Sequence, residues 1–266
     1  MSPQVNHTVA DSVATVVLSN PAKRNAMTAG MWRALPVLLG RLAADREVRA
    51  LVLVGDGDTF CAGADISSLR GPGDGNGDAG GGDAGGGAGG TTQELAVRAE
   101  EALAAFPKPT LAAVRGYCVG GGSQLAAACD LRFAEEGALF GVTPAKLGIV
   151  YASSSTRRLA ALVGPSAAKY LLFSGELIDT ERALRTGLVD EVLPDGQLAK
   201  RVAEFTRVLV SRSQLTQAAA KEFADGRIDR DAYWAEQQRG SGDTAEGVAA
   251  FLERRTPRFE WNAPQQ

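Results

Sequence analysis

Three consecutive glycines at residues 120–122 constrain this chain more than any other feature of its sequence. They follow an apolar segment (residues 111–114) that indicates a strand, and they precede small residues (124–129) that indicate a helix. Glycine lets the backbone approach a neighbour or a ligand closely, and the first turn of a helix leaves its N–H groups without intrahelical partners. Together with the positive end of the helix dipole, such N–H groups can hold an oxyanion.

A second turn of small residues occurs earlier in the chain. The apolar residues 50–54 predict a buried strand, and that strand leads into a small-residue turn at 60–66. Two turns of this kind can supply two N–H donors to one carbonyl oxygen. Each turn alone is also explained by close packing, whereas the pair indicates an oxyanion-binding site.

Strand-turn-helix units recur along the chain and favour an α/β architecture. Apolar patterns predict strands at residues 5–9, 13–18, 48–54, 110–114 and 131–134. Helices are expected at residues 28–44, where Thr28 is the cap and Pro36 lies inside, and at 91–106. The pattern is mostly helical after residue 153, and the last helices are expected near 195–211, 214–225, 229–239 and 245–254.

Several motifs in this order resemble those of the crotonase (enoyl-CoA hydratase/isomerase) superfamily. They are Leu18-Ser19-Asn20-Pro21-Ala22-Lys23-Arg24-Asn25-Ala26-Met27, the Ala62-Gly63-Ala64-Asp65 turn, the glycine helix, Lys146-Leu147-Gly148-Ile149 and Glu246-Gly247-Val248-Ala249-Ala250-Phe251-Leu252. The resemblance covers nearly all 266 residues. It implies an α/β fold, the crotonase (ClpP-like) spiral of ββα units, with a C-terminal helical region that mediates trimer formation.

The resemblance also implies where an acyl-CoA thioester binds. The N–H groups of Ala64 and Gly121 match those that form the family's oxyanion hole. Five positions match the side that binds coenzyme A, with basic residues near its phosphates and turn backbone near its adenine: Lys23, Arg24, Ala62, Asp65 and Ile66. An ordinary solvated loop also explains the two basic residues.

The two glutamates that act on water in family hydratases are missing. Their positions hold Gln124 and Pro144, and the position of the carboxylate that some isomerases use falls near Ala152. Glutamine does not exchange a proton near neutral pH, and proline has no group to offer. Hydration by a pair of glutamates is therefore not expected.

The residues that remain near this position resemble the malonyl-type acyl-CoA decarboxylases of the superfamily. Thr143 and Pro144 are followed by Leu147-Gly148 and by Tyr151, a tyrosine that contacts substrate in those enzymes. Decarboxylation needs an electron sink rather than a base, and the loss of both glutamates removes repulsion of the substrate carboxylate. However, methylmalonyl-CoA decarboxylases carry histidine at the position of Ala64, and this chain does not.

Three functions remain open at this point. The first is an acyl-CoA enzyme that stabilises an enolate and decarboxylates a malonyl-type thioester. In it Ala64 and Gly121 hold the oxyanion, Tyr151 and Thr143 orient the carboxylate, and Gln124 lies beside them. The second is an enoyl-CoA hydratase or isomerase with a different acid, such as an aspartate of residues 71–90. The third is a non-catalytic acyl-CoA-binding protein.

Length and composition set the remaining expectations. We divide the chain into a crotonase core with the acyl-CoA site at 1–195 and a helical region at 196–266. Twelve of the twenty residues at 71–90 are glycine, which predicts a flexible connector or an active-site lid.

The overall charge and the few ligand side chains exclude several classes of partner. The net charge of −3 gives no attraction to nucleic acid or an anionic membrane, and no apolar run approaches the roughly 20 residues of a membrane span. The only histidine, His7, excludes a zinc cluster built on histidines. The first ten residues resemble no export signal, and three scattered cysteines suit a reducing compartment. We therefore expect a cytoplasmic, metal-free homotrimer or dimer of trimers, with coenzyme A carried by the substrate rather than by a separate cofactor.

Overall fold

A six-stranded sheet forms the centre of the protein in a computed structural model that describes residues 2–65 and 91–262. The strands of the described ranges are β1 Gln4–Ala10, β2 Val13–Ser19, β3 Ala50–Gly55, β4 Thr110–Val114, β5 Tyr117–Val119, β6 Leu131–Glu135, β7 Leu139–Gly141 and β8 Glu191–Leu193. The large sheet has the order β1-β2-β3-β4-β6-β8. Only its first pair, β1 with β2, is antiparallel.

Helices cover this sheet and continue along the C-terminal part of the chain as far as Leu252. They are α1 Ala29–Ala44, α2 Thr92–Ala104, α3 Gly121–Ala128, α4 Ser153–Ser174, α5 Thr180–Thr186, α6 Leu198–Val210, α7 Gln214–Ala224, α8 Asp231–Gly240 and α9 Asp243–Leu252. Helix α4 is interrupted at Gly164, whose φ of 79° is not helical and which precedes Pro165. The predicted helical C-terminal region is confirmed.

A second, smaller layer of strands makes each unit of the fold a ββα turn. β5 and β7 pair in parallel in this layer, each a few residues after β4 or β6 of the large sheet. Cys61 forms a parallel bridge to Cys118, so the chain after β3 enters the same layer. A helix then follows each second-layer segment, which confirms the spiral of ββα units.

Alternate residues of the parallel strands enter two separate cores. Leu51 and Leu53 of β3 pack in the main core with α1 and α2, whereas Val52 packs in a second cluster with residues of α6. This period of two is the side-chain geometry of a strand, and apolar residues at every position mark a sheet that is buried on both faces. The apolar runs that predict strands therefore have a direct physical origin.

The structure differs from the sequence predictions at a few boundaries. The small-residue helix begins at Gly121 rather than at Gln124, because the second and third glycines of the triplet already belong to its first turn. The short strands β5, β7 and β8 were not predicted, since three residues carry too little periodicity to be recognised. The glycine-rich residues 71–90 lie outside the described residues.

The N-terminal cap of α1 should contribute measurably to the free energy of unfolding. Thr28 Oγ1 accepts a hydrogen bond from Met31 N–H (3.3 Å) at the start of this helix. Thr28→Ala should lower the free energy of unfolding by about 0.5–2 kcal/mol, whereas Thr28→Ser keeps the acceptor and should lower it by only a few tenths. Urea denaturation of both variants measures the difference, and equal stabilities would show that the cap contributes nothing.

Candidate functional site

The turn after β3 is held against β5 by backbone hydrogen bonds. Cys61 N–H donates to the Tyr117 carbonyl, and Val119 N–H donates to the Cys61 carbonyl, each at 2.9 Å. These bonds form the parallel bridge of the second layer. They place the turn directly beside the loop that leads into α3.

The next residues of this turn pair with the loop before α1. Met27 N–H donates to the Gly63 carbonyl (2.8 Å), and Asp65 N–H donates to the Met27 carbonyl (2.9 Å). In this pattern Ala64 lies between the two bonded residues, so its own N–H points away from Met27. The N–H of half-buried Ala64 is therefore directed to the opposite side, where α3 begins.

The triple glycine allows a contact that no side chain would permit. Gly120 adopts φ 54° and ψ −117°, a conformation that favours glycine. A Cβ atom at Gly121 would lie 2.8 Å from Cζ2 of Trp32, and one at Gly122 would lie 2.3 Å from the carbonyl oxygen of Cys61. Close packing and the opening of a helix therefore both require these glycines.

These two turns bring the predicted oxyanion donors together. A Cβ placed on Gly121 would lie 3.5 Å from Ala64 N, and one placed on Gly63 would lie 3.5 Å from Gly121 N. Gly121 is the first residue of α3, where a helix has N–H groups without intrahelical partners and the positive end of its dipole. The arrangement can hold the developing negative charge of a thioester oxygen.

Gln124 belongs to a buried polar network that sequence reasoning missed. Its Nε2 donates to Glu100 of α2 and to Ser155 Oγ of α4 (2.7 Å). Ser155 Oγ in turn donates to Glu100, and Nη1 of Arg158 forms an ion pair with the same carboxylate. The Glu100 side chain is 1% exposed. A carboxylate thus lies directly behind the residue that replaces the hydratase glutamate.

The sequence does contain a signal for Glu100. Ala96, Ala99, Glu100 and Leu103 have the i, i+3, i+4, i+7 spacing of one helix face, and all four are buried. A glutamate within an apolar stripe is rarely buried without a partner. This position in α2 could therefore have been identified, although its partners on α3 and α4 could not.

The residues after β7 line the same region. Thr143 precedes a short 3-10 turn at Pro144–Leu147, and its Oγ1 lies 3.7 Å from a Cβ placed on Gly120. Tyr151 packs against the main core, where burial raises the pKa of its hydroxyl, and the negative charge of Glu100 raises it further. The Tyr151 hydroxyl therefore stays protonated near neutral pH.

Four of the five residues predicted to contact coenzyme A lie together where the loop before α1 meets the turn. Lys23 Nζ forms an ion pair with Asp65 (2.8 Å), so the loop before α1 is tied to the turn by charge as well as by backbone. Arg24 is exposed and lies over the Tyr117 ring at 4.8 Å. Its carbonyl accepts from Ala62 N–H (2.9 Å). Ile66 lies outside the described residues.

Buried Asn25 holds this loop in place. Its Nδ2 donates to the carbonyl oxygens of Asp56 (2.9 Å) and Thr59 (2.6 Å), and its Oδ1 accepts from Asn20 N–H (3.0 Å). Asn25 also adopts a positive φ of 58°, which asparagine tolerates better than most residues. The loop that carries Lys23 and Arg24 is therefore rigidly connected to the chain that precedes the Ala64 turn.

Other chemistries receive no support in the described part of the chain. No group of three or more His, Cys, Asp or Glu side chains in residues 2–65 and 91–262 is arranged to hold a metal ion. His7 is exposed on β1. Within the same ranges, no helix has both the length and the apolar character that a membrane crossing requires.

The spiral of ββα turns, in which the Ala64 turn packs against the first residues of α3, defines the crotonase class of protein. The sequence pattern of the enoyl-CoA hydratase/isomerase family matches residues 8–262. The chain therefore belongs to the enoyl-CoA hydratase/isomerase family, and it is an enzyme of that superfamily.

Named relatives and solved structures agree with this assignment. The chain is 31% identical to a short-chain-enoyl-CoA hydratase of Clostridium acetobutylicum (91% of this chain, 92% of the relative). It is 32% identical to a crotonyl-CoA hydratase of Syntrophomonas wolfei (94% and 95%). The crystal structure of an enoyl-CoA hydratase/isomerase family member superposes with a TM-score of 0.87 at 38% identity and covers 99% of both chains.

Removal of one oxyanion donor should separate its chemistry from its packing. Gly121→Ala and Gly121→Pro both place a Cβ against Trp32, but only proline removes the N–H, and the first position of a helix accepts proline. Thioester turnover by the Pro variant should fall about 10²–10³-fold below that of the Ala variant. Equal turnover by two folded variants would contradict the assignment.

Burial of the three cysteines predicts that their thiols react slowly in the native protein. Burial raises the pKa of Cys61 and of Cys129 to about 12, and it raises the pKa of Cys118 as well. At pH 8 only about one part in ten thousand of a thiol with pKa 12 is ionised, so native protein should resist iodoacetamide. Mass spectrometry should find all three alkylated in urea. Rapid alkylation of Cys61 in the native protein would show a reactive thiol instead.

Proposed function

We propose that this protein decarboxylates a malonyl-type acyl-CoA and stabilises the resulting thioester enolate in the oxyanion hole of Ala64 and Gly121. Membership of the acyl-CoA enzyme family leaves the reaction open, and decarboxylation is the reaction that we propose. Coenzyme A is proposed to arrive with the substrate. Lys23 and Arg24 lie on the side of the site proposed to bind its phosphates.

One observation carries the proposal: the oxyanion donors are in place while both positions of the hydratase glutamates lack a proton-transfer group. Gln124 and Pro144 occupy these positions. The buried carboxylate of Glu100 is engaged by Gln124, Ser155 and Arg158. A carboxylate held in this way is poorly placed to take a proton from water.

Decarboxylation suits such a site because the thioester takes up the electron pair of the bond that breaks. The bond between the α-carbon and the carboxylate breaks, and its electron pair moves into the enolate, whose oxygen accepts from the two N–H groups. Carbon dioxide leaves, and the α-carbon then takes a proton from water. The remaining hydroxide combines with carbon dioxide, so the balanced products are the shortened acyl-CoA and bicarbonate.

The charge of the network is compatible with an anionic substrate. Two like charges about 4 Å apart repel by roughly 4 kcal/mol at an effective dielectric of 20, so an unpaired glutamate beside the substrate carboxylate would slow the reaction. Arg158 offsets the charge of Glu100. Tyr151 and Thr143 are proposed to donate hydrogen bonds to the departing carboxylate.

We also propose that the chain acts as a homotrimer or a dimer of trimers in the cytoplasm. Several large apolar side chains on or near α4 and α9 are strongly exposed in the single chain, including Val150 (84%), Phe173 (76%) and Phe251 (83%). Exposed apolar side chains of this size are often covered at interfaces between protein chains. Sedimentation of the purified protein measures the number of subunits, and a monomer at micromolar concentration would contradict this assembly.

Substrate comparison tests the reaction directly. The protein is incubated separately with crotonyl-CoA, methylmalonyl-CoA and ethylmalonyl-CoA, and hydration and bicarbonate release are measured. Release from a malonyl-type thioester should exceed hydration, because general acid–base catalysis worth about 10²–10⁴-fold is missing. Tyr151→Phe should weaken that release by about 1.5–3 kcal/mol through the loss of one hydrogen bond to a charged group.

Two results would overturn this reaction. Rapid hydration of crotonyl-CoA without bicarbonate release would show a hydratase with an acid outside the two glutamate positions. Tight binding of all three thioesters without turnover would show an acyl-CoA-binding protein that has lost its chemistry. Gly121→Pro serves as the control, because it should abolish release by a true oxyanion mechanism.

A further inference from the structure

Glu100 carries a buried charge. The proposed reaction does not use its carboxylate directly. It lies on α2, and its partners come from α3 and α4. Burial of a charged group is costly unless the group is paired and hydrogen-bonded, and each oxygen of Glu100 receives donors here. Such a network serves a purpose that an apolar side chain at this position would not.

The count of hydrogens in this network determines how the amide of Gln124 is oriented. Glu100 accepts from all of its partners, and the single hydroxyl hydrogen of Ser155 is donated to Glu100. Both neighbours therefore require a donor from Gln124, and its Nε2 has two hydrogens to supply. With the amide reversed, the oxygen of Gln124 would face two acceptors.

The oxygen of the amide is consequently the atom left for a bound molecule. No described residue donates to Gln124 Oε1. Gln124 follows Gly121 by three residues, so its side chain leaves α3 within one turn of the oxyanion donor. This oxygen can accept a hydrogen bond from water or a hydroxyl group, and it cannot bind a carboxylate.

We infer that Glu100 is a positioning residue that holds the Gln124 amide with its oxygen towards the reacting thioester. The inference rests on the proposed function and deepens it. The Gln124 oxygen accepts one hydrogen of a water molecule, and that water delivers its other hydrogen as a proton to the α-carbon of the enolate. The hydroxide then adds to carbon dioxide, as in the balanced reaction above.

A double-mutant cycle tests whether Glu100 acts through Gln124. Glu100→Gln can donate or accept and releases the amide from its single orientation, while Gln124→Ala removes the amide. Each should lower kcat for the malonyl-type thioester about 10- to 100-fold, with a smaller change in KM. The double variant should be no slower than Gln124→Ala alone, because residues that act as a unit are not additive.

Glu101 provides a matched control. It is the adjacent residue, and it forms an ion pair with the same Arg158 (3.1 Å), but it is 49% exposed and its bond lies outside the contact with Gln124. Glu101→Gln should change kcat by less than twofold. If Glu100→Gln does not fold, Ser155→Ala is used instead, because it removes the second acceptor of the amide. The decrease in kcat caused by Ser155→Ala should likewise vanish in the Gln124→Ala background.

The orientation itself has a spectroscopic readout that requires no turnover. In protein labelled with 15N-glutamine, the side-chain amide signals of Gln124 are assigned by their loss in Gln124→Ala. Glu100→Gln should shift these signals and speed their exchange with water, and Glu101→Gln should leave them unchanged. This measurement remains decisive if no thioester is turned over, so failure of the proposed function and failure of the orientation are distinguished.

Three outcomes would overturn the inference. Multiplicative losses in the double variant would show that Glu100 acts independently of Gln124. Unchanged Gln124 signals in Glu100→Gln would show that the carboxylate does not orient the amide. A loss above a thousandfold, together with disappearance of a limb of the pH–rate profile, would identify Glu100 as the proton-transfer group itself.

Discussion

The contact between the glycine triplet and the turn after β3 is the constraint on which the rest of the site depends. A Cβ at Gly122 would lie 2.3 Å from the Cys61 carbonyl, so the two backbones approach more closely than any side chain permits. This approach brings the N–H groups of Ala64 and Gly121 to one side. It also fixes the first turn of α3, and with it the direction in which Gln124 leaves the helix.

Polar groups around α3 then divide into a supporting side and a reacting side. Glu100 and Arg158 are paired behind the helix, where α2 and α4 meet it. In the proposed reaction, the two N–H donors and the Gln124 oxygen belong to the front. Because the charges behind the helix compensate each other, the front is left with dipoles rather than a net charge. A site of this kind favours a negative charge that develops on the substrate over a charge that the protein must itself supply.

Much of this could be predicted from the sequence, because local patterns carried it. The central strands β3 and β4 of the large sheet are apolar at nearly every position, and small residues in the segments that follow them mark the two oxyanion turns. The contribution of Glu100 could not be predicted, since it arises only where α2, α3 and α4 pack together. The ion pair of Lys23 with Asp65 has the same origin, because those residues are 42 positions apart and are joined by the pairing of their loops.

The network also limits the order in which this site could change during evolution. A glutamate at position 124 would face the Glu100 carboxylate, and one guanidinium would have to compensate both charges. Replacement of Glu100 first leaves Arg158 with its exposed partner Glu101, and only then does position 124 tolerate an acid. A lineage that gained hydratase chemistry here would therefore have changed α2 before α3, and one that lost it would have changed α3 before α2. The order of the two changes matters because Ser155 has a single hydroxyl hydrogen and the Glu100 carboxylate can only accept hydrogen bonds.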